Sequence, residues 1–248
     1  MRIRRQGPKV LHHEVPVPGL DPAHDGVRVA HLTDLHVGML TPTRKILAAL
    51  TAVEIAKPDL VVMTGDFVCY SPRFVDKLRE VVRGIRAPVV NVLGNHDYWT
   101  DGDGVRLALE RNGYAVLRNQ NTTLTLRNAP FSIVGIDDAI TRHSDVEKAY
   151  AGVRPQGSRL TLTHAPSMAD RAALYGRGLI LAGHTHGGHV NIPKITAGIA
   201  ARMGSRYLAG FYGVGGSLLY VNRGIGSSSV PIRAGAPAEV AILTLRAT

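Results

Sequence analysis

The chain has a single cysteine, Cys69, in 248 residues. No internal disulfide can form, and nothing in the composition calls for an oxidising compartment. Long apolar runs are missing as well: none reaches the roughly 18 residues that a membrane-spanning helix needs. After Arg2, Arg4 and Arg5, the stretch Gln6-Gly7-Pro8-Lys9 stands where a secretory leader requires its apolar segment. A signal or transit segment is therefore not expected, and a cytoplasmic protein is. Acidic residues are in deficit, with 19 Asp and Glu against 29 Lys and Arg, leaving a formal charge of +10. That balance favours an anionic partner, which is a phosphate-bearing substrate, nucleic acid, or peripheral contact with an anionic (inner) membrane surface. No basic run is interleaved with aromatics in the manner of a single-strand groove, so nucleic acid ranks below a phosphate-bearing substrate. The Gly-rich stretch Gly210–Gly216 lacks the Lys-Ser/Thr ending of a P-loop and reads as a loop.

What is present suits one domain with a large core: 45% of residues are apolar and 19% charged, ordinary proportions for a globular protein. Val27–Leu32, Leu60–Met63 and Pro88–Leu93 are short apolar runs that read as buried strands. Between them lie two helices. Thr41-Pro42 reads as an N-cap with proline at the first helical position, ahead of an apolar face of Ile46, Leu47, Leu50, Val53 and Ile55. Ser71-Pro72 opens the second, with Phe74, Val75, Leu78, Val81 and Val82 inward. This βαβαβ alternation argues for a largely parallel sheet covered by helices.

After about Gly113 the rhythm changes. Thr122–Leu126, Phe131–Ile136, Leu160–Thr163, Leu179–Ala182, Ser217–Val221 and Glu239–Leu245 read as short strands, with helical pieces only near Asp145–Ala151 and Pro166–Leu174. A second, mixed sheet packed on the first accounts for this. Residues 1–26 read as an N-terminal extension and 27–248 as one domain, since both halves supply ligand-type residues. No internal repeat is found.

Five clusters of such residues follow the apolar runs: Asp34-Leu35-His36, Gly65-Asp66, Gly94-Asn95-His96-Asp97, Thr163-His164 and Gly183-His184-Thr185-His186. One cluster is cheap by chance; five at strand ends describe one site, because ligands of open α/β sheets bind outside the carboxyl ends of strands. Asp34 and His36, two apart in an extended segment, leave the same face and can reach one ion together. Asp66 has enough lone pairs to bridge two metals. Asn95 offers a neutral oxygen, and His164, His184 and His186 add imidazoles. Two aspartates, one asparagine and four histidines without thiolate suit two divalent ions of the Mn²⁺, Fe or Zn²⁺ kind. Two ions ~3.5–4 Å apart activate a bridging water and stabilise both attacking and leaving oxygens of a phosphoryl transfer. His96 is not needed as a ligand. It is assigned to proton donation to the leaving group or to charge stabilisation, with Asp97 as the carboxylate that orients it.

In these residues the chain resembles the calcineurin-like metallophosphoesterases, whose pattern is D-x-H, GD, GNH[DE], H and GHxH in that order. The resemblance covers about Val27 to Leu245. It implies an α/β fold of two mixed β-sheets packed as a sandwich with flanking helices, four αββα layers. It implies a dinuclear site in which Asp34, His36, Asp66 and His186 hold the first metal and Asp66, Asn95, His164 and His184 the second. The flanking text, including Asn95-His96-Asp97-Tyr98-Trp99 and Tyr220-Val221-Asn222-Arg223-Gly224-Ile225-Gly226, is similar to a bacterial branch. That branch includes cell-envelope phosphodiesterases and a UDP-2,3-diacylglucosamine pyrophosphatase of lipid A synthesis. Its members often begin with a twin-arginine signal or membrane anchor, neither of which is expected here, and usually carry Gln where this chain has His189.

The expected activity is hydrolysis of a phosphodiester or pyrophosphate bond by a metal-bridging hydroxide, on a small-molecule or lipid-linked phosphate substrate. His189, Arg206 and Arg223 are candidate substrate contacts. Arg202 and Arg233 lie in the same stretch and offer guanidinium groups suited to a second phosphate. Ile195–Met203 is mildly amphipathic and packs over a sheet edge or shelters an acyl chain. Tyr98 and Trp99 form site wall or stack a nucleobase. The alternatives are a nuclease or cyclic-nucleotide phosphodiesterase, and a non-catalytic scaffold with the same fold.

Overall fold

The computed structural model describes residues 7–154, 156–188, 206–228 and 233–248. His189, Arg202 and the stretch Ile195–Met203 lie outside them.

The chain opens with β1 (Lys9–Val17) and β2 (Arg28–Leu32), followed by α1 (Thr43–Ala56), β3 (Leu60–Thr64), α2 (Val75–Val82) and β4 (Val89–Val92). Next come α3 (Asn95–Thr100), α4 (Gly102–Glu110) and the two-residue β5 (Ala115–Val116). The second half contains β6 (Gln120–Leu126), β7 (Ala129–Gly135), α5 (Val146–Tyr150), β8 (Arg159–Leu162), α6 (Ala169–Ala172) and β9 (Leu179–Ala182). It ends with β10 (Gly210–Val214), β11 (Ser217–Val221) and β12 (Glu239–Ala247).

Two mixed sheets of six strands result among the described residues, in the orders β1-β12-β2-β3-β4-β5 and β10-β11-β9-β8-β7-β6. β2 to β5 run parallel in the first, and β7, β8, β9 and β11 run parallel in the second. Strand alternation divides each sheet between two cores. Val29, Leu60, Val62 and Val90 meet Phe131, Ile133, Leu160 and Leu181 between the sheets. On the outer face of the first sheet, Ala30, Leu32, Val61 and Met63 pack against Ile46, Leu50 and Val53 of α1, Leu78 of α2 and Leu109 of α4. On the outer face of the second, Val134, Ile180 and Leu219 meet Val146 and Ala149 of α5 and Ala169 and Ala172 of α6. The order is helices, sheet, sheet, helices, as expected. Central strands covered on both faces are apolar at nearly every position, which is why they read as continuous runs.

Several local expectations are corrected. Residues 9–17 do not extend away from the domain: β1 pairs in parallel with β12 over its whole length. β12 belongs to the first sheet, between β1 and β2, and is antiparallel to β2. Gly210–Val214 is no loop but an edge strand antiparallel to β11, with Gly215-Gly216 as the turn of a hairpin. Four glycines hide the alternation of that stretch. Thr41 does not cap α1. It is buried, and its hydroxyl accepts the Ser227 N–H at 3.1 Å, while α1 starts without a side-chain cap. On α1, Leu47 and Ile55 are exposed and Ala49 is buried in their stead. The helix pair α3–α4, which no apolar periodicity announces, directly follows β4.

Candidate metal centre

Every candidate ligand sits just beyond the carboxyl end of a parallel strand: Asp34 and His36 after β2, Asp66 after β3, Asn95 after β4, His164 after β8, His184 and His186 after β9. Both sheets therefore open toward one place. The backbone there is unusual. Asp34, His36, Asp66, His184 and His186 all have positive φ, between 45° and 70°. This left-handed region is sparsely used by non-glycine residues, and its clustering at one spot marks a functional site held in shape by its surroundings.

Those surroundings are explicit. Asp34 N–H donates to Gly65 O at 3.0 Å and His36 N–H to Asp66 O at 2.9 Å, so the loops after β2 and β3 brace each other. The Asn222–Gly226 run closes over them: Ile225 N–H donates to Thr33 O at 3.1 Å and Gly226 N–H to Asp34 O at 2.6 Å. Asn222 secures that strap through its amide on His31 O at 3.0 Å and its oxygen on Gly224 N–H at 2.8 Å. Gly65 and Gly94 touch back to back; a Cβ on Gly65 would come within 2.5 Å of Gly94 N. Only a residue without a side chain lets the β3 and β4 loops approach that closely.

The ligand atoms form two adjoining groups. In one, His36 Nε2 lies 3.1 Å from His186 Nε2 and 3.8 Å from Asp34 Oδ1, and His186 Nε2 lies 3.2 Å from Asp34 Oδ1. In the other, His164 Nε2 lies 3.1 Å from Asn95 Oδ1 and 3.2 Å from His184 Nδ1. Asp66 Oδ2 belongs to both, 3.5 Å from His36 Nε2 and 3.3 Å from His164 Nε2. Ligands ~2.0–2.2 Å from one ion stand about 2.8–3.6 Å from each other, so most of these spacings are edges of a coordination shell. Asp34 Oδ1 is buried with no hydrogen-bond donor among the described residues. A buried carboxylate oxygen facing ring nitrogens is costly unless a cation lies between them. The residues fit divalent metal.

Electrostatics agree at two of the imidazoles. Burial pushes His36 down to about 3 and His184 down to about 4, holding both as neutral imidazoles, the form that ligates. Burial, with Asp66 adding to it against the pull of His164, raises the Asp34 carboxyl to about 6. Asp66 is different: burial opposes its charge, yet His164 and His36 hold it below the ordinary carboxylate range. His164 is raised in return, because Asp66 and Asp34 outweigh its burial. With Nδ1 on the Thr64 carbonyl at 2.7 Å, that nitrogen is the donor and Nε2 is directed at Asp66 and Asn95.

The remaining candidates divide. His96 is half buried beside the site, its backbone N–H on Asp66 Oδ1 at 2.9 Å and its ring edge-on to His36 at 4.9 Å. Asp97 does not orient it. One oxygen accepts the Phe67 and Val68 N–H groups at 2.7 and 3.1 Å, the other the Gly94 N–H at 2.9 Å. Its work is to pin the β3 loop to the start of α3. Arg206 is exposed and pairs with Asp170 of α6 at 3.3 Å. Arg223 packs its stem over Gly187 but commits its guanidinium to Glu239 at 2.6 Å. Neither carries a free guanidinium into the metal centre. Tyr98 has its hydroxyl on Asp137 at 2.7 Å and its ring stacked on His143, contacts that do not include the ligands, whereas Trp99 is exposed 5.0 Å from the His96 ring.

Two residues given little weight in the sequence do reach the site. Arg233 Nη2 donates to His186 Nδ1 at 2.7 Å, and Cys69 Sγ lies 3.3 Å from His96 Nδ1. Nothing in the local text marks either, since both contacts span 27 residues or more.

The family model for calcineurin-like phosphoesterases matches residues 27–188, the span that contains all seven candidate ligands. The chain belongs to the calcineurin-like phosphoesterase family. As such it is a metal-dependent phosphoester hydrolase. It is 30% identical over 208 residues to the phosphodiesterase YaeI of Escherichia coli, covering 81% of this chain and 75% of that one. It is 26% identical to the UDP-2,3-diacylglucosamine pyrophosphatase LpxG of Chlamydia trachomatis, covering 88% of this chain and 83% of the relative. Among solved structures, TT1561 of Thermus thermophilus shares the fold with a TM-score of 0.54 at 10% identity, over 80% of this phosphoesterase and 89% of that chain. No helix among its described residues is long and apolar enough to cross a membrane.

Proposed function

We propose that this phosphoesterase uses two divalent ions to cleave a phosphodiester or pyrophosphate bond, in a substrate that is a nucleotide-linked glycolipid or another envelope phospholipid. The single observation that supports two ions is the position of Asp66 Oδ2, within 3.5 Å of one ligand group and 3.3 Å of the other. Asp34, His36 and His186 would hold one ion, and Asn95, His164 and His184 the second, with Asp66 shared. When bound, such ions supply Lewis acidity at the phosphoryl oxygens and an activated water nucleophile.

The chain's own residues do the rest. Positive-φ backbone holds five of the seven ligands, and the start of α3 and the end of β8 hold Asn95 and His164, all without help from substrate, so the site is preorganised. His96 is half buried and gathers with Cys69 against His36, beside the two proposed ion sites; not being needed to fill either, it is the imidazole left to face the phosphoryl group as charge moves onto its oxygens. The pyrophosphatase LpxG and the phosphodiesterase YaeI, similar over more than four-fifths of this chain, support a substrate whose phosphorus is linked through oxygen to a group on each side, as in a phosphodiester or a substituted pyrophosphate. The test is turnover of bis-p-nitrophenyl phosphate and of UDP-2,3-diacylglucosamine by Mn²⁺-loaded protein, beside glycerophosphodiesters, cyclic nucleotides, DNA and RNA. The expected result is diester or pyrophosphate cleavage abolished by Asp66→Ala. Hydrolysis of nucleic acid alone would transfer the reading to a nuclease, and activity indifferent to Asp66→Ala would remove it.

A further inference from the structure

Cys69 stands three residues beyond Asp66, on the loop that Asp97 pins, and is only 2% exposed. Its sulfur is 3.3 Å from His96 Nδ1. We propose that the Cys69 thiol is a positioning residue for His96: its S–H donates to Nδ1 and thereby leaves the ring proton on Nε2, the nitrogen free to meet the phosphoryl group. The proposal deepens the functional reading above and rests on it for its kinetic arm.

Three observations carry it. First, the carboxylate that stands next in sequence is unavailable, because Asp97 is occupied by three backbone N–H groups. Second, the ring plane is held without any choice between its nitrogens, by edge-on packing against His36 at 4.9 Å and Trp99 at 5.0 Å. Among the described residues, Cys69 is the hydrogen-bonding group that distinguishes Nδ1 from Nε2. Third, burial and then the Asp66 carboxylate, with Asp97 adding to them against a hydrogen bond from Tyr70, push the thiol up to about 12, so the sulfur keeps its proton and has it to donate to Nδ1. A thiol is a weak donor, but it needs only to bias a tautomer, and the partner nitrogen has no other.

The chemistry that follows is defined. A water oxygen forms the new bond to phosphorus and releases a proton to solvent; as the bond from phosphorus to the leaving oxygen breaks, its electron pair goes to that oxygen, which takes a proton from solvent. His96 lends a hydrogen bond from Nε2 to the developing charge and keeps its own proton. A neutral imidazole used as a donor in this way is an established device for stabilising oxyanions.

The experiment has two arms on the full chain loaded with Zn²⁺, a diamagnetic ion. In the first, ¹⁵N-histidine labelling and two-bond ¹H–¹⁵N correlation read the His96 tautomer, assigned with His96→Ala. Wild type and Cys69→Ser, which keeps a donor, should show the proton on Nε2, and Cys69→Ala should lose that preference. In the second, Cys69→Ala should lower kcat on bis-p-nitrophenyl phosphate on the order of tenfold with KM little changed, Cys69→Ser should recover most of it, and Cys69→Ala should add nothing in a His96→Ala background. A proton on Nδ1 in the wild type overturns the proposal, as does an equal loss from Cys69→Ala with and without His96. If the wild type cleaves no phosphodiester, the functional reading fails, while the tautomer still decides the role of Cys69.

Discussion

His31 makes the fold sensitive to acid in a way that one substitution exposes. It lies on the inter-sheet face of β2, fully buried, with Nε2 at 2.9 Å from the Thr64 hydroxyl and Nδ1 unpartnered. Burial lowers its pKa from 6.5 to about 3, so the fold accepts only the neutral ring. The unfolded chain takes up a proton below pH ~6.5 and the folded one does not until about 3. Stability is thus complete above the unfolded value and falls as pH drops toward the folded one. At ~1.4 kcal/mol per unit, lowering the pH from 7 to 5 costs about 2 kcal/mol from this residue alone. Against a typical total of ~5–15 kcal/mol, that is easily measured. Urea unfolding of wild type and His31→Gln at pH 7 and pH 5, both with chelator, isolates it, because the titrations of the ligand histidines are common to both proteins. His31→Gln should be less stable at pH 7 yet lose about 2 kcal/mol less on acidification. Equal losses in the two proteins would refute the reasoning.

Other substitutions probe the scaffold of the site. Asp97→Ala strands three buried backbone N–H groups; at ~1–3 kcal/mol each, urea unfolding should show a loss of at least about 3 kcal/mol. An Asp97→Ala protein of unchanged stability would show that the β3 loop does not depend on this carboxylate. Gly183→Ala places a Cβ within 2.6 Å of Asp34 Oδ2, so the aspartate must move. Bound metal measured on the folded variant should fall by more than tenfold in affinity, and metal binding equal to wild type would contradict the geometry.

How much of this was legible before the structure depends on the range of each interaction. β3 and β9 were readable because burial on both faces leaves a continuous apolar run, and the ligands because each follows such a run. α3 and α4 were not, since their first residues, Asn95 and Gly102, carry site chemistry and turn character in place of an apolar stripe. The place of β12 depends on pairing with strands more than 200 residues earlier, which no local pattern encodes. The same holds in the site. Asp34 and His36 could be paired from their spacing, but Asp97 sits beside His96 in the chain and serves Phe67 and Val68 instead. The strap from Asn222 to Gly226 looked like flanking text until its N–H groups were seen on Thr33 O and Asp34 O.

Metal content of the wild type and of Asp66→Asn, each purified without chelator, tests the shared carboxylate most directly. The expected result is two transition-metal ions per wild-type chain and at most about one in Asp66→Asn, since ligand loss at a metal centre costs affinity on the order of 10–100-fold or more. Two ions in both proteins, or a single ion in the wild type, would contradict a dinuclear centre bridged by Asp66.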